Sequence, residues 1–408
     1  CGMFLPGFSY DDLIAGGKAY AEEHGYDEMA DDEMDKAKDD FVNAGNAPAP
    51  RDPLVIDLGK PGIELTSVQN GVHFDLDNNN FAEQTSWIGT EDGFLALDRD
   101  NNGTIDNGSE LFGDQVMLKN GSKSSSGFEA LADLDENGDG IIDADDLEFV
   151  NLKVWIDENH NGLSEISELK TLSELGIVSI RLDFSETNRT DDETGTLIAE
   201  TAIVTLVGKN ADGTDKTTDI SEFWFPVDTS DTTQGNGDDI VATIGNVPDI
   251  MKAISEDKTG ELAALYDSFD NAQSITDKRY YLKKILYFIT DAADISVNSR
   301  GGNIDARDLR VIECFMGTEF VGIDGGNCPN VNAANILKSM YVRIENLYFN
   351  IINHKTESGS YMDNIFVYTH KSGRKTVNVV LFNLYIFNML YEGKDVELML
   401  YGAATYLR

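Results

Sequence analysis

The sequence predicts an α+β protein, in which a central module of short strands, acidic loops and a small antiparallel sheet is followed by an all-α domain. Three observations support this fold class. Between residues 98 and 168, three Asp- and Asn-rich segments with glycine hinges alternate with short apolar runs. Residues 177–227 then alternate with the period of two that strands have. Beyond residue 245, apolar residues recur at helical spacing.

The predicted domain order follows from shifts in composition along the 408 residues. An acidic helical segment over 1–45 precedes a Pro- and Ala-rich linker over 46–51. The central module then occupies 52–228, a Thr-, Asp- and Gly-rich linker occupies 229–245, and the all-α domain occupies 246–408. Within the module, helical patches are expected to flank the acidic loops, which makes those loops EF-hand-like.

The three acidic segments have the spacing of calcium-binding loops. Such a loop supplies oxygens from positions 1, 3 and 5, a carbonyl from position 7 and an acid from position 12, with a glycine turn at position 6. The third loop, 157–168, fits in full, and the second, 135–146, closes with an aspartate. In the first loop, position 12 is Ser109 and the acid falls one place later, at Glu110. The predicted ligands are Asp98, Asp100, Asn102, Thr104, Asp106 and Glu110; Asp135, Asn137, Asp139, Ile141, Asp143 and Asp146; and Asp157, Asn159, Asn161, Leu163, Glu165 and Glu168.

A fourth segment is a weaker candidate for the same kind of site. Asp75, Asp77 and Asn79 hold positions 1, 3 and 5, but Asn80 replaces the hinge glycine. Any single segment of this composition also suits a polar turn, because Asp, Asn and Gly are common turn residues. The recurrence of the pattern favours calcium over turns alone.

The net charge of −42 comes from 73 acidic and 31 basic residues, and most of the excess lies in residues 51–250. Without a cation, such a segment repels itself, so calcium is expected to act as a folding switch. Nucleic acid and anionic membranes are excluded as partners, because both require a basic patch. No apolar run reaches the length of a transmembrane segment.

The three cysteines, Cys1, Cys314 and Cys328, lack metal-type spacing. Cys314 and Cys328 could pair, although buried thiols are the simpler expectation. Because the chain begins at Cys1 without a methionine, we expect a fragment whose secretion signal lies elsewhere. A mature lipoprotein would also begin with cysteine.

Several motifs closely resemble the self-processing module of the iron-regulated RTX proteins, which are large secreted bacterial polypeptides. The resemblance covers about residues 52–227, and the region after residue 245 more weakly resembles segments that accompany such modules. The motifs are Asp52–Leu58, Gly93–Asp98, Gly108–Asp114, Val154–Asp157 and Glu222–Asp228.

The resemblance implies that calcium folds the module, which then cleaves the Asp52–Pro53 bond without a protease. It further implies a cyclic aspartic anhydride that a lysine on a surface protein can open, giving an Asp–Lys isopeptide cross-link. An extracellular or cell-surface location follows from the same resemblance.

This chemistry is reasonable for the residues themselves. The Asp52 carboxylate can close a five-membered ring on its own carbonyl carbon, and oriented intramolecular attack is fast. The nitrogen of Pro53 must then gain a proton. Asp57 is a candidate assistant, either as an acid or as a calcium ligand. The sequence Asp57–Gly62 departs from the acidic loop Asp-Leu-Asp-Gly-Asp-Gly that the family usually has there.

Two other functions remain open. A calcium-stabilised structural or adhesion module would share the loops but have no catalytic activity. A conventional hydrolase is a distant third, because the five histidines show no recognisable catalytic spacing.

Overall fold

The computed structural model describes residues 52–235, 240–322, 325–355, 367–369 and 375–377. They fall into two compact units, of which the first ends at Asp249 and the second begins at Ile250. The predicted acidic helical segment over 1–45 and the linker over 46–51 lie outside the described residues.

The first unit is built on a nine-stranded antiparallel sheet. Its order is β5-β8-β10-β11-β1-β4-β6-β7, and β9 pairs with β10. The strands are β1 (Leu54–Ile56), β4 (Gly93–Ala96), β5 (Ile141–Asp143), β6 (Lys153–Trp155), β7 (Leu169–Thr171), β8 (Ile177–Arg181), β9 (Ser185–Thr190), β10 (Leu197–Lys209) and β11 (Asp215–Trp224).

A second, four-stranded sheet has the order β13-β12-β3-β2. Its strands are β2 (Val72–Phe74), β3 (Ala82–Thr85), β12 (Val227–Gln234) and β13 (Val241–Ile244). The stretch 229–245, predicted as a linker, thus contains most of β12 and all of β13. The unit also has a 3₁₀ turn, Val68–Asn70, and one short helix, α1 (Gly127–Ala132).

Strand β1 lies inside the large sheet and is buried on both faces. It pairs with β11, placing Leu54 opposite Glu222, and on its other side with β4, placing Val55 opposite Phe94. Because successive side chains of a strand point to opposite faces, Leu54 and Ile56 join one apolar cluster, and Val55 joins a second, aromatic cluster. The short apolar run after Pro53 therefore packs into both cores.

The predicted fold class is wrong for the first unit, which is mostly β. Among its described residues, α1 is the one α-helix beside an acidic loop, where it precedes the second loop. The stretch after the third loop forms β7, which pairs with β6, instead of a helix. The cause is non-local: hydrogen bonding to a neighbouring strand overrides the helical spacing of a short apolar run. The predicted small sheet is part of the nine-stranded one.

The second unit is helical over most of its described residues. Its helices are α2 (Ile250–Glu256), α3 (Glu261–Asn271), α4 (Ile275–Ile289), α5 (Ala306–Met316) and α6 (Val331–Lys355). A hairpin of β14 (Val367–Thr369) and β15 (Lys375–Val377) departs from the predicted all-α class. No helix in the described ranges combines the length and hydropathy that crossing a bilayer requires.

Candidate functional site

The four acidic loops share one backbone conformation. In each loop the carboxylate at position 1 accepts a hydrogen bond from the backbone N–H at position 6, and the residues at positions 4 and 6 have positive φ. Asparagine tolerates this conformation, so Asn80 replaces the hinge glycine of the other loops. The position-1 bonds are Asn80 to Asp75 (2.8 Å), Gly103 to Asp98 (3.0 Å), Gly140 to Asp135 (2.9 Å) and Gly162 to Asp157 (3.0 Å).

The closing acid of each of the first three loops also has a shared role. Glu110, Asp146 and Glu168 are buried, with 3%, 4% and 3% of their surface exposed. Each accepts hydrogen bonds from the backbone N–H groups at positions 2 and 9 of its loop. Glu110 thus accepts the same pair of backbone hydrogen bonds, although it lies one residue further along the chain. The donors are Arg99 and Asp106 for Glu110, Glu136 and Asp143 for Asp146, and Glu158 and Glu165 for Glu168.

Two clusters of carboxylates could hold a metal ion. In the first loop, oxygens of Asp98, Asp100 and Glu110 lie within 4.8 Å of one another. Burial raises the pKa of Glu110. Among the described residues, the acids of the second and third loops form no three-carboxylate group within that distance.

The second cluster belongs to the fourth loop and contains a residue that the sequence reasoning missed. Oxygens of Asp75, Asp77 and Glu83 lie within 4.8 Å of one another. Glu83 holds position 9 and accepts a hydrogen bond from Asn79 at 3.3 Å. Position 9 is a ligand position in such loops, so its spacing from Asp75 was the available signal. Burial raises the pKa of Asp75 to about 6.

The other predicted ligands are engaged within their loops. Asn102 contacts Asp100 and Asp106 through its amide, and Thr104 donates to both Asn102 and Asp106. Asn137, Asp139 and Asp143 accept backbone N–H groups, including that of Ile141. Asn159 and Asn161 both donate to Glu165, and Asn161 accepts from the N–H of Leu163.

The third loop is attached to the aromatic core. The indole N–H of Trp87 donates to Asp157 at 2.9 Å, and that of Trp155 donates to Glu168 at 3.4 Å. The two indoles contact each other with ring centroids 5.5 Å apart. The first and last carboxylates of this loop are therefore fixed by buried side chains of β6 and of the segment after β3.

The Asp52–Pro53 peptide lies at the entrance to β1, and both residues are buried. The Asp52 carboxylate accepts the backbone N–H of Asp114 at 2.9 Å. A Cβ at Gly113 would lie 2.8 Å from the carbonyl oxygen of Asp52, so the glycine allows the backbone to pass against this peptide. Phe223 donates its N–H to the Pro53 carbonyl at 3.0 Å. These contacts hold the peptide on both sides.

Three carboxyl groups follow one another beside this peptide. Glu222 on β11 neighbours both Asp52 and Glu200 on β10, and its proximity contributes to the raised pKa of each. Burial, assisted by the charges of Asp114 and Glu222, raises the pKa of Asp52 to about 9. Burial and the contact with Glu222 raise the pKa of Glu200 to about 7. Sequence reasoning missed Glu200 and Glu222, because in the sequence they look like ordinary polar residues of β-strands.

The Asp57 side chain is used elsewhere. Its carboxylate accepts the N–H of Gly62 at 2.7 Å and closes the turn that departs from the family pattern. Asp92 accepts the N–H groups of Leu58 and Gly59 at 3.0 and 3.3 Å. The contacts found for Asp52 are with Asp114 and Glu222 instead.

Known proteins match the same region. Residues 54–225 match the family model described as the SPM domain. Over 140 residues the chain is 46% identical to the iron-regulated protein FrpA of Neisseria meningitidis serogroup C, and the match covers 34% of this chain and 13% of FrpA. The chain thus spans a small part of that curated relative. Together the two matches support similarity to an FrpA-like family for the central part of the chain.

Proposed function

We propose that residues 52–228 form a calcium-dependent self-processing module that cleaves its own Asp52–Pro53 bond. The observation that carries this proposal is the confinement of the scissile peptide. Its carboxyl group accepts the N–H of Asp114, Gly113 lies against its carbonyl, and Phe223 fixes Pro53. Such confinement supports intramolecular attack, because well-oriented groups react with effective molarities of about 10⁵ M or more.

The reaction uses groups of the chain itself. An oxygen of the Asp52 carboxyl group bonds to the Asp52 carbonyl carbon, the bond to the Pro53 nitrogen breaks, and that nitrogen gains the proton that the Asp52 carboxyl group releases. The products are a cyclic anhydride at Asp52 and a free amino terminus at Pro53. Water opens the anhydride to a C-terminal aspartate, whereas a lysine amine opens it to an isopeptide bond.

The donor set of the loops fits calcium, which prefers oxygen ligands. The bound cation supplies positive charge that offsets the repulsion among Asp98, Asp100 and Glu110. This loop continues directly into the site, since Leu97 donates to the Glu110 carbonyl at 2.8 Å and Leu54 donates to the Phe112 carbonyl at 3.0 Å. An ordered first loop therefore keeps Gly113 and Asp114 against the scissile peptide.

The experiment is to add millimolar calcium to purified, calcium-free chain and to measure masses over time. We expect fragments 1–52 and 53–408, and an intact chain for Asp52→Ala. Addition of a lysine whose α-amino and α-carboxyl groups are blocked should yield fragment 1–52 with that lysine attached at Asp52 through an amide bond to its ε-amine. An intact wild-type chain after a day, in a sample whose calcium binding is verified by calorimetry, would reject self-cleavage.

A calcium-stabilised structural or adhesion module without catalysis is the second candidate. The raised pKa of Asp52 favours it, because a protonated carboxyl is a weak nucleophile at neutral pH. This candidate predicts calcium-dependent stability with no mass change. For either function we propose an extracellular or cell-surface location, since calcium sites of modest affinity are filled at extracellular concentrations.

A further inference from the structure

The carboxyl groups of Asp52, Glu222 and Glu200 form a row across three neighbouring segments of the large sheet. The register places Leu54 opposite Glu222. Because side chains two residues apart share a face of a strand, Asp52 also lies on the Glu222 side. Glu222 has 1% of its surface exposed and accepts the N–H of Gly127 at 3.3 Å. Asp52 and Glu222 are therefore shielded from bulk water, whereas Glu200 is half-buried.

We propose that Glu222 carries the proton for cleavage of the Asp52–Pro53 bond, and that Glu200 is a positioning residue that acts through Glu222. This inference rests on the proposed function, since it names the acid–base group of that reaction. The strand register and the effect of Glu222 on the pKa of Asp52 place Glu222 beside the attacking carboxyl group. Its neighbour in the chain, Phe223, donates to the Pro53 carbonyl, so the strand that presents Glu222 also fixes the leaving residue.

The proton moves twice, and the atoms balance. Glu222, as a carboxylate, takes the proton of the Asp52 carboxyl group, and the resulting Asp52 carboxylate forms its bond to the Asp52 carbonyl carbon. The bond from that carbon to the Pro53 nitrogen breaks, and the nitrogen receives the proton from Glu222. Glu222 ends as a carboxylate again, so the raised proton affinity of Asp52 no longer opposes the reaction.

Other acids near the peptide are less suited to this role. Asp114 offers Asp52 its backbone N–H, and its side chain accepts from Gln115 at 2.7 Å. Asp57 is engaged with Gly62. Glu200 neighbours Glu222 and adds a second carboxyl group beside it, on the side away from the peptide. The charged groups that face the row are Asp114 beside Asp52 and Glu186 beside Glu200.

The arrangement predicts a bell-shaped pH dependence of the cleavage rate. At low pH the row is fully protonated, and Glu222 cannot accept the proton of Asp52. At high pH the row is fully ionised, and no proton is left for the Pro53 nitrogen. Replacing Glu200 by glutamine removes a neighbouring negative charge, so the shared proton is lost more readily. The alkaline limb should therefore move to lower pH.

The decisive measurement compares Glu222→Gln with wild type in the full chain, with calcium present and cleavage followed by mass. We expect the variant to cleave at least about 100-fold more slowly, as for loss of a general acid–base group. Calcium affinity by calorimetry should remain unchanged. Glu193→Gln, at an exposed position on the turn between β9 and β10, is the matched control and should cleave at the wild-type rate.

The outcomes separate this inference from the proposed function. A wild-type chain that binds calcium without cleaving rejects the proposed function, and this inference with it. A cleaving wild type together with a Glu222→Gln variant of equal rate rejects the inference alone. If Glu222→Gln does not fold, Glu200→Gln decides: an alkaline limb shifted to lower pH supports the proton carrier, and an unshifted limb rejects it.

Discussion

Gly113 shows how narrowly the Asp52–Pro53 peptide is confined at the scale of single residues. Three atoms of Asp52, its carbonyl carbon and oxygen and Oδ1, lie within 3.2 Å of the place where a Cβ would stand. Any side chain there must displace the peptide or its carboxyl group. The position therefore tests geometry without altering a titratable group.

We predict that Gly113→Ala slows cleavage about tenfold or more, because a shift of a fraction of an ångström disturbs the alignment of the attack. Calcium binding, measured by calorimetry, should stay at the wild-type value. Gly302→Ala is the matched control, since a Cβ there meets nothing within 4 Å. Equal cleavage rates for the two variants would show that Gly113 does not confine the peptide.

Asp52 also predicts a pH dependence of stability. Its pKa is raised from 3.8 to about 9 by burial, so folding takes up a proton between these values, and stability falls as the pH rises through this window. Asp52→Asn should flatten that slope and stabilise the calcium-free chain by roughly 1 kcal/mol or more at pH 8. Urea unfolding with a calcium chelator measures this. Parallel pH curves for the two proteins would contradict the burial argument.

At the scale of elements, the acidic loops explain why local sequence was informative. A twelve-residue ligand pattern is read from neighbouring positions, so the spacing from Asp98 to Glu110 was visible without a structure. The strands that pair with β1 could not be predicted from local sequence, because β11 lies far along the chain and its pairing depends on the whole sheet. Glu222 became recognisable as a site residue only through such non-local strand pairing, whereas the spacing of Glu83 from Asp75 was visible in the sequence.

The first loop gives a prediction about its closing acid. Glu110→Gln should weaken calcium binding at that site by about tenfold or more, because it removes a charge from a three-carboxylate cluster. Ser109→Ala, at the regular twelfth position, should leave affinity unchanged. Calorimetry of both variants compares them. A larger loss for Ser109→Ala would mean that the regular position closes this loop.

The third loop offers an optical signal. Trp87 donates to Asp157 and Trp155 donates to Glu168. A cation that is coordinated by these carboxylates should therefore change the environment of both indoles. We predict a calcium-dependent change in tryptophan fluorescence that is lost in the double variant Asp157→Ala, Glu168→Ala. Trp224→Phe controls for the third tryptophan, which is partly exposed. A signal that persists in the double variant would assign it to another loop.

At the scale of the whole molecule, the net charge of −42 predicts that bound cations stabilise the chain against its own charge repulsion. Each site filled at 100 times its dissociation constant adds about 2.7 kcal/mol to the free energy of unfolding. We predict that calcium raises the melting temperature of the first unit and leaves that of the helical unit nearly unchanged. Calorimetric scans with calcium and with a chelator measure both transitions. Equal shifts of both units would contradict a calcium requirement confined to the first.

The central place of β1 also gives the proposed cleavage an order in time. Its partner strand β11, which carries Glu222, is synthesised well after Asp52. Under the proposed function, a nascent chain that has not yet reached residue 222 carries an Asp-Pro bond of ordinary lability. The order of synthesis would then delay cleavage until the chain extends past β11.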